Sequence, residues 1–489
     1  MKRVPAPDRK KGPPFPSPDE LSFRNTGGDN LFGRTLTRRA AVKTLGLLTA
    51  SGLTEYFLHD LAWALPHSQR KPNIIFILTD DHRWDYMSCS GHSFLQTPNI
   101  DRLANEGILF ENAFVTTSLC SPSRASFLTG QYAHTHGVKN NLTAWRDENI
   151  TFLELLKQAG YDTFFVGKWH MPGRLPNLRG VDRFITFTVQ GGQGRYFNCP
   201  LIVDGVRRPS RKEYITEELT DYALEFISRK RENPFCLYLS HKAVHHQFLP
   251  PPELDHLYDE VELGLPKEAD SWIGMTRGNM FTGVFGNIER HVRNYCETLV
   301  ALDRQVGRVL EKIDELGISD NTLIVYAGDN GYFWGEHRFV DKRWPYEESI
   351  RIPFIVRYPA LIHDPGRRAS QMALNIDLAP TLLDLAGVPV PAQMEGASLK
   401  PVLLERSAPG RKAWLYEYFK EFPYNVPEHF AVRTQTHIYV EYAGRHEPEL
   451  YDIVKDPHQK RNLIGTADGQ LLLPELKRML EDLKRGKML

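Results

Sequence analysis

Asn73-Ile74-Ile75-Phe76-Ile77-Leu78-Thr79-Asp80-Asp81 is a short, β-branched apolar run that stops on two carboxylates. Such a run, without polar alternation, predicts a strand buried on both faces, as in a parallel sheet covered by helices. Three more runs have the same form: residues 163–166 end in Gly167-Lys168, residues 234–240 end in His241, and residues 322–327 end in Gly328-Asp329-Asn330. Helical patterns over residues 97–105, 151–159, 216–228 and 295–316 separate them. The alternation predicts an α/β fold with a large, mixed, mostly parallel sheet flanked by helices. Ligands of open α/β sheets bind at the carboxyl ends of strands, so the polar tails are expected to meet at one edge. After about residue 400 the texture changes. Aromatic and β-branched runs at 413–419, 429–433 and 437–442 predict a smaller C-terminal antiparallel sheet, and 473–484 a closing amphipathic helix. The expected division is a larger domain over residues 72–405 and a C-terminal subdomain over 406–489.

The chain has 489 residues, 41% hydrophobic and 25% charged, with a formal net charge of +0. That size supports one large or two unequal domains, and the charge balance argues against a nucleic-acid partner. Arg207-Arg208-Pro209-Ser210-Arg211-Lys212 is either a local contact for an acidic polymer or a solvated loop. The five cysteines form no metal spacing and no disulfide framework, and the odd number leaves at least one free or modified. Residues 1–33, rich in Pro, Gly and charge, are expected to be disordered. Thr37-Arg38-Arg39-Ala40-Ala41-Val42-Lys43 and the apolar stretch to Leu53 resemble a twin-arginine export signal. The stretch is too short for a stable membrane span, and Ala62-Trp63-Ala64 suits cleavage. Residues 1–64 are therefore read as a leader and the protein as periplasmic or secreted; an amphipathic helix on a cytosolic protein is the alternative.

Ser118-Leu119-Cys120-Ser121-Pro122-Ser123-Arg124-Ala125-Ser126-Phe127-Leu128-Thr129-Gly130 follows the first strand. A helix starting just after Pro122 would aim N–H groups and a positive dipole end at residue 120, which suits an anion. A structural cysteine in a strand-to-helix turn would look similar. Gly160-Tyr161-Asp162-Thr163-Phe164-Phe165-Val166-Gly167-Lys168-Trp169-His170 is the second marked stretch. With Cys120-x-Pro122-x-Arg124 and its flanks, it resembles the two signatures of the sulfatase family in the alkaline phosphatase superfamily. The resemblance spans roughly residues 72 to 360, and Glu449-Leu450-Tyr451-Asp452 is similar to a C-terminal feature of the family. It implies an alkaline phosphatase-like fold. It also implies that a formylglycine-generating enzyme oxidises Cys120 to formylglycine. The hydrated aldehyde would attack sulfur through one hydroxyl and expel sulfate through the other.

Asp80, Asp81, Asp329 and Asn330 offer only oxygen donors, which favour calcium or magnesium over zinc. The resemblance selects one calcium ion, with residue 120 beside it in the ligand set. It further implies a cationic cage of Arg124, Lys168 and Lys342 around the sulfate. Lys168 and His170 point the same way if their segment is extended, and His170 would be the base of the desulfating step. In Ser240-His241-Lys242-Ala243-Val244-His245-His246, His245 fits the family's acid position best, with His241 and His246 as alternatives. Protonating a sugar alkoxide has real value because it is a poor leaving group.

Gly191-Gly192-Gln193-Gly194-Arg195-Tyr196-Phe197-Asn198 and the run from Asp341-Lys342 to Tyr346-Glu347-Glu348-Ser349 look more like N-acetylglucosamine-6-sulfatases and mucin-desulfating enzymes than other sulfatases. The implied substrate is a sulfated carbohydrate carrying 6-O-sulfated N-acetylglucosamine. Tyr196 would stack on a sugar ring, Asn198 would read a hydroxyl, and His337 would join the substrate contacts. The alternatives are a flexible surface loop at the glycines, a phosphonate monoester or phosphodiester hydrolase on the same scaffold, and a silent sulfoglycan-binding protein.

Overall fold

The four apolar runs lie side by side in a ten-stranded sheet. In order across the sheet the strands are Arg367–Ala369, Ile108–Phe110, Phe354–Arg357, Thr322–Gly328, Asn73–Thr79, Phe235–Ser240, Asp162–Gly167, Arg183–Thr186, Leu201–Val203 and Val206–Arg208. The computed structural model describes residues 71–175, 178–265 and 288–487. The leader expected over residues 1–64, with Arg38, Arg39 and the cleavage site, lies outside them. No described helix is long and apolar enough to cross a membrane.

From Thr322–Gly328 to Arg183–Thr186 every neighbouring pair is parallel. Phe354–Arg357 runs against both its neighbours, and Leu201–Val203 and Val206–Arg208 close the other edge as an antiparallel ribbon. The sheet is thus mixed with a parallel centre. Ile75 and Ile77 face one core, and Ile74, Phe76 and Leu78 face the other, so period-2 alternation sends apolar groups both ways. Helices Pro98–Asn105, Ile215–Ile227 and Ile288–Glu315 cover the first face; Cys120–Thr129, Phe152–Gln158 and Leu378–Leu385 cover the second.

Ladder-like bonds continue past the strand ends. Lys168 N donates to Ser240 O at 2.8 Å, His241 N to Leu78 O at 2.8 Å, Asp80 N to Ala243 O at 2.9 Å and Asp329 N to Thr79 O at 2.9 Å. Gly167, at φ 116°, permits the closest of these approaches, because a Cβ there would lie 1.8 Å from Ser240 O.

One expected boundary moves at the most important place. The buried helix begins at Cys120, not after Pro122. Pro122 fits inside its first turn because the N–H it lacks has no intrahelical acceptor there. The C-terminal sheet orders Ala413–Tyr418, His429–Thr434, His437–Tyr442 and Glu449–Asp452 antiparallel throughout. Trp414, Tyr416 and Tyr418 pack toward Phe114 and Leu119, while Ala413 and Leu415 pack under Leu476, Leu480 and Leu483 of helix Ala467–Lys484. This helix starts before the expected residue 473, because Thr466 caps it by accepting Gly469 N–H at 3.1 Å. Its first turn, Ala467-Asp468-Gly469-Gln470, has no apolar period, and Leu471-Leu472-Leu473 before Pro474 reads as a run rather than a helical stripe. On the ribbon edge, Arg207 and Arg208 are exposed, Arg211 pairs with Glu225, and Lys212 Nζ lies 3.6 Å from Asp221, as in a solvated charge cluster.

Candidate active site

Cys120 opens its helix with Leu119 as N-cap in extended conformation, at 0% exposure. Its Sγ is 3.6 Å from Asp80 Oδ1. Burial pushes the thiol up, against the opposing charges of Lys168 and Lys342, so the unmodified side chain stays protonated and is a weak nucleophile.

Asp80 and Asp81 extend one central strand, and Asp329 and Asn330 the next. Asp81 N–H donates to Asp329 Oδ1 at 3.0 Å, and Asn330 Nδ2 donates to Asp81 Oδ1 at 2.6 Å. Asp81 sits at φ 57°, a left-handed conformation that costs energy for a non-glycine residue and is held here by its surroundings. Tyr295 helps hold it: its hydroxyl donates to Asp81 O at 2.8 Å and accepts Arg83 N–H at 2.9 Å. Carboxylate oxygens of Asp80, Asp81 and Asp329 all lie within 4.8 Å of one another. Three buried carboxylates this close do not ionise freely. Burial, then the charge of Asp80, pushes Asp329 up to about 7. Burial likewise raises Asp81 against the pull of Lys342. Burial would raise Asp80 too, but Lys168, His245, Arg124 and Lys342 hold it well below the usual carboxylate range. Asp81 Oδ2 and Asn330 Oδ1 are buried without a hydrogen-bond partner. Hard oxygen donors, crowded like charges and two open acceptors fit a hard divalent cation. Asp80, Cys120 and His245 also cluster, but that mixed sulfur and nitrogen set suits such an ion poorly.

The cations interlock with this cluster. Arg124 donates Nε–H to Asp329 Oδ2 at 2.9 Å and Nη1–H to Lys168 O at 3.0 Å and Ser240 Oγ at 2.6 Å. Lys168 Nζ pairs with Asp80, and Lys342 Nζ with Asp81. His245 places Nε2 3.7 Å from Asp81 Oδ2. Its Nδ1 meets His246 O, which fixes the ring and leaves Nε2 for proton exchange. Burial, then Lys168, lowers His245 well below its ordinary value. His241 is buried, and burial pushes it down to about 3; burial, then His291, brings His246 down to about 4.

The expected substrate contacts fare differently. Tyr196 is 1% exposed and stacked on Tyr214, so no ring face remains for a sugar. Instead its hydroxyl donates to His245 O at 2.7 Å. An aromatic residue just after a glycine-rich stretch looks exposed in sequence, yet this one is packed as a prop. Asn198 is exposed at φ 50°. His337 stacks on Tyr346 at 3.9 Å and lines a cavity of about 900 Å³ with Arg83, Trp84, Trp334, Glu336 and Glu348. Cys120, Asp80, Asp81 and Asp329 do not line it. Sequence reasoning missed Gln193, whose amide lies between Lys168 and His170, as well as Ser240 and Tyr295. A polar residue flanked by glycines was the one available signal for Gln193.

A sandwiched mixed sheet that gathers acidic strand ends over a buried helix N-terminus defines an alkaline phosphatase-like hydrolase. The sequence matches the Sulfatase family over residues 72–388 and the family described as N-sulphoglucosamine sulphohydrolase, C-terminal, over 335–486. The chain belongs to the sulfatase family and is a sulfuric ester hydrolase. It is 34% identical to the N-acetylglucosamine-6-O-sulfatase of Bacteroides thetaiotaomicron, over 85% of this chain and 87% of that one. A solved structure described as a complex with its substrate D-glucosamine-2-N,6-O-disulfate superposes with a TM-score of 0.79 at 33% identity, covering 85% of this chain and 98% of its own. The phosphonate monoester hydrolase of Agrobacterium radiobacter shares the fold, with a TM-score of 0.71 at 22% identity over 85% of this chain and 96% of its own.

Proposed function

We propose that this sulfatase removes 6-O-sulfate from glucosamine units of sulfated glycans. The likeness to an N-acetylglucosamine-6-O-sulfatase over most of the chain supports the sugar class. The placement of Cys120 Sγ 3.6 Å from Asp80 Oδ1, at a helix N-terminus, carries the chemistry. Cys120, once converted to formylglycine, would supply as its hydrate the hydroxyl that attacks sulfur. Asp80, Asp81, Asp329 and Asn330 would hold calcium beside residue 120, and the bound ion would supply positive charge toward the sulfate. Lys168 and Lys342 hold the sulfate, and Arg124 orients Asp329 and the Lys168 backbone beneath it. As the sulfur–oxygen bond to the sugar breaks, His245 Nε2 protonates the leaving alcohol. An anionic sulfate opposes the effect of Lys168 on this imidazole and favours its protonated form. His170 accepts the proton released in the second step. Overall, sulfate ester and water give alcohol, sulfate and a proton. Asn198 and His337 are the proposed sugar contacts.

The Arg38-Arg39 leader supports export by the twin-arginine route, and residues 72–405 and 406–489 are the proposed domains. The decisive experiment measures sulfate release from 6-sulfo-N-acetylglucosamine by protein co-expressed with a formylglycine-generating enzyme, beside Cys120→Ala. Release by the parent alone establishes reaction, nucleophile and sugar class. Formylglycine confirmed by mass with no release rejects this sugar, and turnover of phosphodiesters instead rejects the sulfatase reading.

A further inference from the structure

The glycine-rich stretch before Tyr196 folds into a left-handed turn, with Gln190 at φ 53°, Gly191 at 64° and Gly192 at 89°. A Cβ on Gly192 would stand 3.3 Å from His170 Cα, and one on Gly194 would press to 2.7 Å from the Phe187 ring. The flanking glycines therefore let the chain bring Gln193 against the second signature. Lys168 Nζ donates to Gln193 Oε1 at 2.6 Å, and Gln193 Nε2 lies 2.7 Å from His170 Nε2. An ammonium group only donates, so it fixes the amide oxygen toward Lys168 and turns the amide nitrogen toward His170. That nitrogen also only donates, so His170 Nε2 presents its lone pair and the neutral ring carries its proton on Nδ1.

We infer that Gln193 is a positioning residue that sets the tautomer of His170 and ties it to the sulfate-binding Lys168. Its catalytic meaning rests on the proposed function. His170 accepts a proton at Nε2 only once the amide turns over, and the amide turns when Lys168 exchanges the glutamine oxygen for a sulfate oxygen. Arrival of the anion therefore readies the base.

Gln193→Glu separates shape from polarity. The carboxylate keeps the contact with Lys168 but cannot donate, so His170 must carry a proton on Nε2. Nitrogen-15 NMR of histidine-labelled full-length protein, with His170→Gln to assign the signal, reads that proton directly. The expected result is an unprotonated Nε2 in the parent and a protonated one in Gln193→Glu. The variant should lose kcat on the order of tenfold, with KM within about twofold. A protonated Nε2 in the parent overturns the inference, as does a folded Gln193→Glu with unchanged His170 signal or unchanged kcat. A parent with the expected tautomer but no sulfate release counts against the proposed reaction and leaves the placement of the proton intact.

Discussion

The ten-stranded sheet and the C-terminal sheet are built from the same alternation, yet they serve the site in different ways. The large sheet delivers ionisable groups: Asp80 and Asp329 leave neighbouring strands in register, and Lys168 and His241 leave the next two. The small sheet contributes packing and polar contacts to the flanking loops. Tyr416 accepts Ser118 N–H at 3.3 Å and donates to Arg343 O at 2.8 Å, touching the flank of Cys120 on one side and of Lys342 on the other. Register places charge where chemistry is done, whereas aromatic packing fixes the loops that register does not reach.

Substitutions that separate the two contributions test this division. Cys120→Ala should lower sulfate release on the order of 10⁶-fold while leaving the melting temperature close to that of the parent. His245→Ala should cost roughly 10²–10⁴-fold on sugar sulfates, and much less on an aryl sulfate whose phenolate leaves unaided. An equal loss on both would remove the acid role. Gly167→Ala forces a Cβ against Ser240 O at a positive φ and should destabilise the fold by about 3 kcal/mol in denaturant titration. Tyr416→Phe leaves Ser118 N–H short of an acceptor and should cost about 1–2 kcal/mol of stability with intact substrate preference. If it altered the choice of sugar, the small sheet would be more than a support.

The smallest effect lies at the seam between the sheets, where His134 Nδ1 meets Glu417 Oε2 at 2.7 Å. The hydrogen bond to Glu417 raises His134 above its ordinary value despite partial burial. A raised histidine stabilises the fold below its unfolded pKa, and that contribution is lost as pH rises through the folded one. The stability gap between the parent and His134→Gln should stay under about 1 kcal/mol near pH 6 and close by about pH 9. A gap that widens with pH would reverse the assignment.

Much of this was legible because apolar runs and their polar tails are local. Asn73–Thr79 and its carboxylates stand in the structure as they read in sequence, and a parallel centre brings the tails together. The antiparallel course of Phe354–Arg357 was not legible, since strand direction depends on partners far along the chain. The helix start at Cys120 was hidden because Pro122 reads as the residue just before a helix, although the third helical position also needs no intrahelical N–H partner. Gln193 and Tyr416 act through contacts with residues distant in sequence, which no local period encodes. Tyr196 misled because a ring beside a glycine-rich stretch says nothing about what covers it.

The burial of Cys120 has a temporal consequence. Its whole helix is buried, and its N-cap Leu119 packs in one cluster with Trp414 and Tyr416 from the last quarter of the chain. A modifying enzyme of the kind proposed would meet that thiol more readily before these strands dock. The proposed conversion of Cys120 would therefore be a race against completion of the fold, and the late position of these strands would keep the window open until nearly all of the polypeptide has been made.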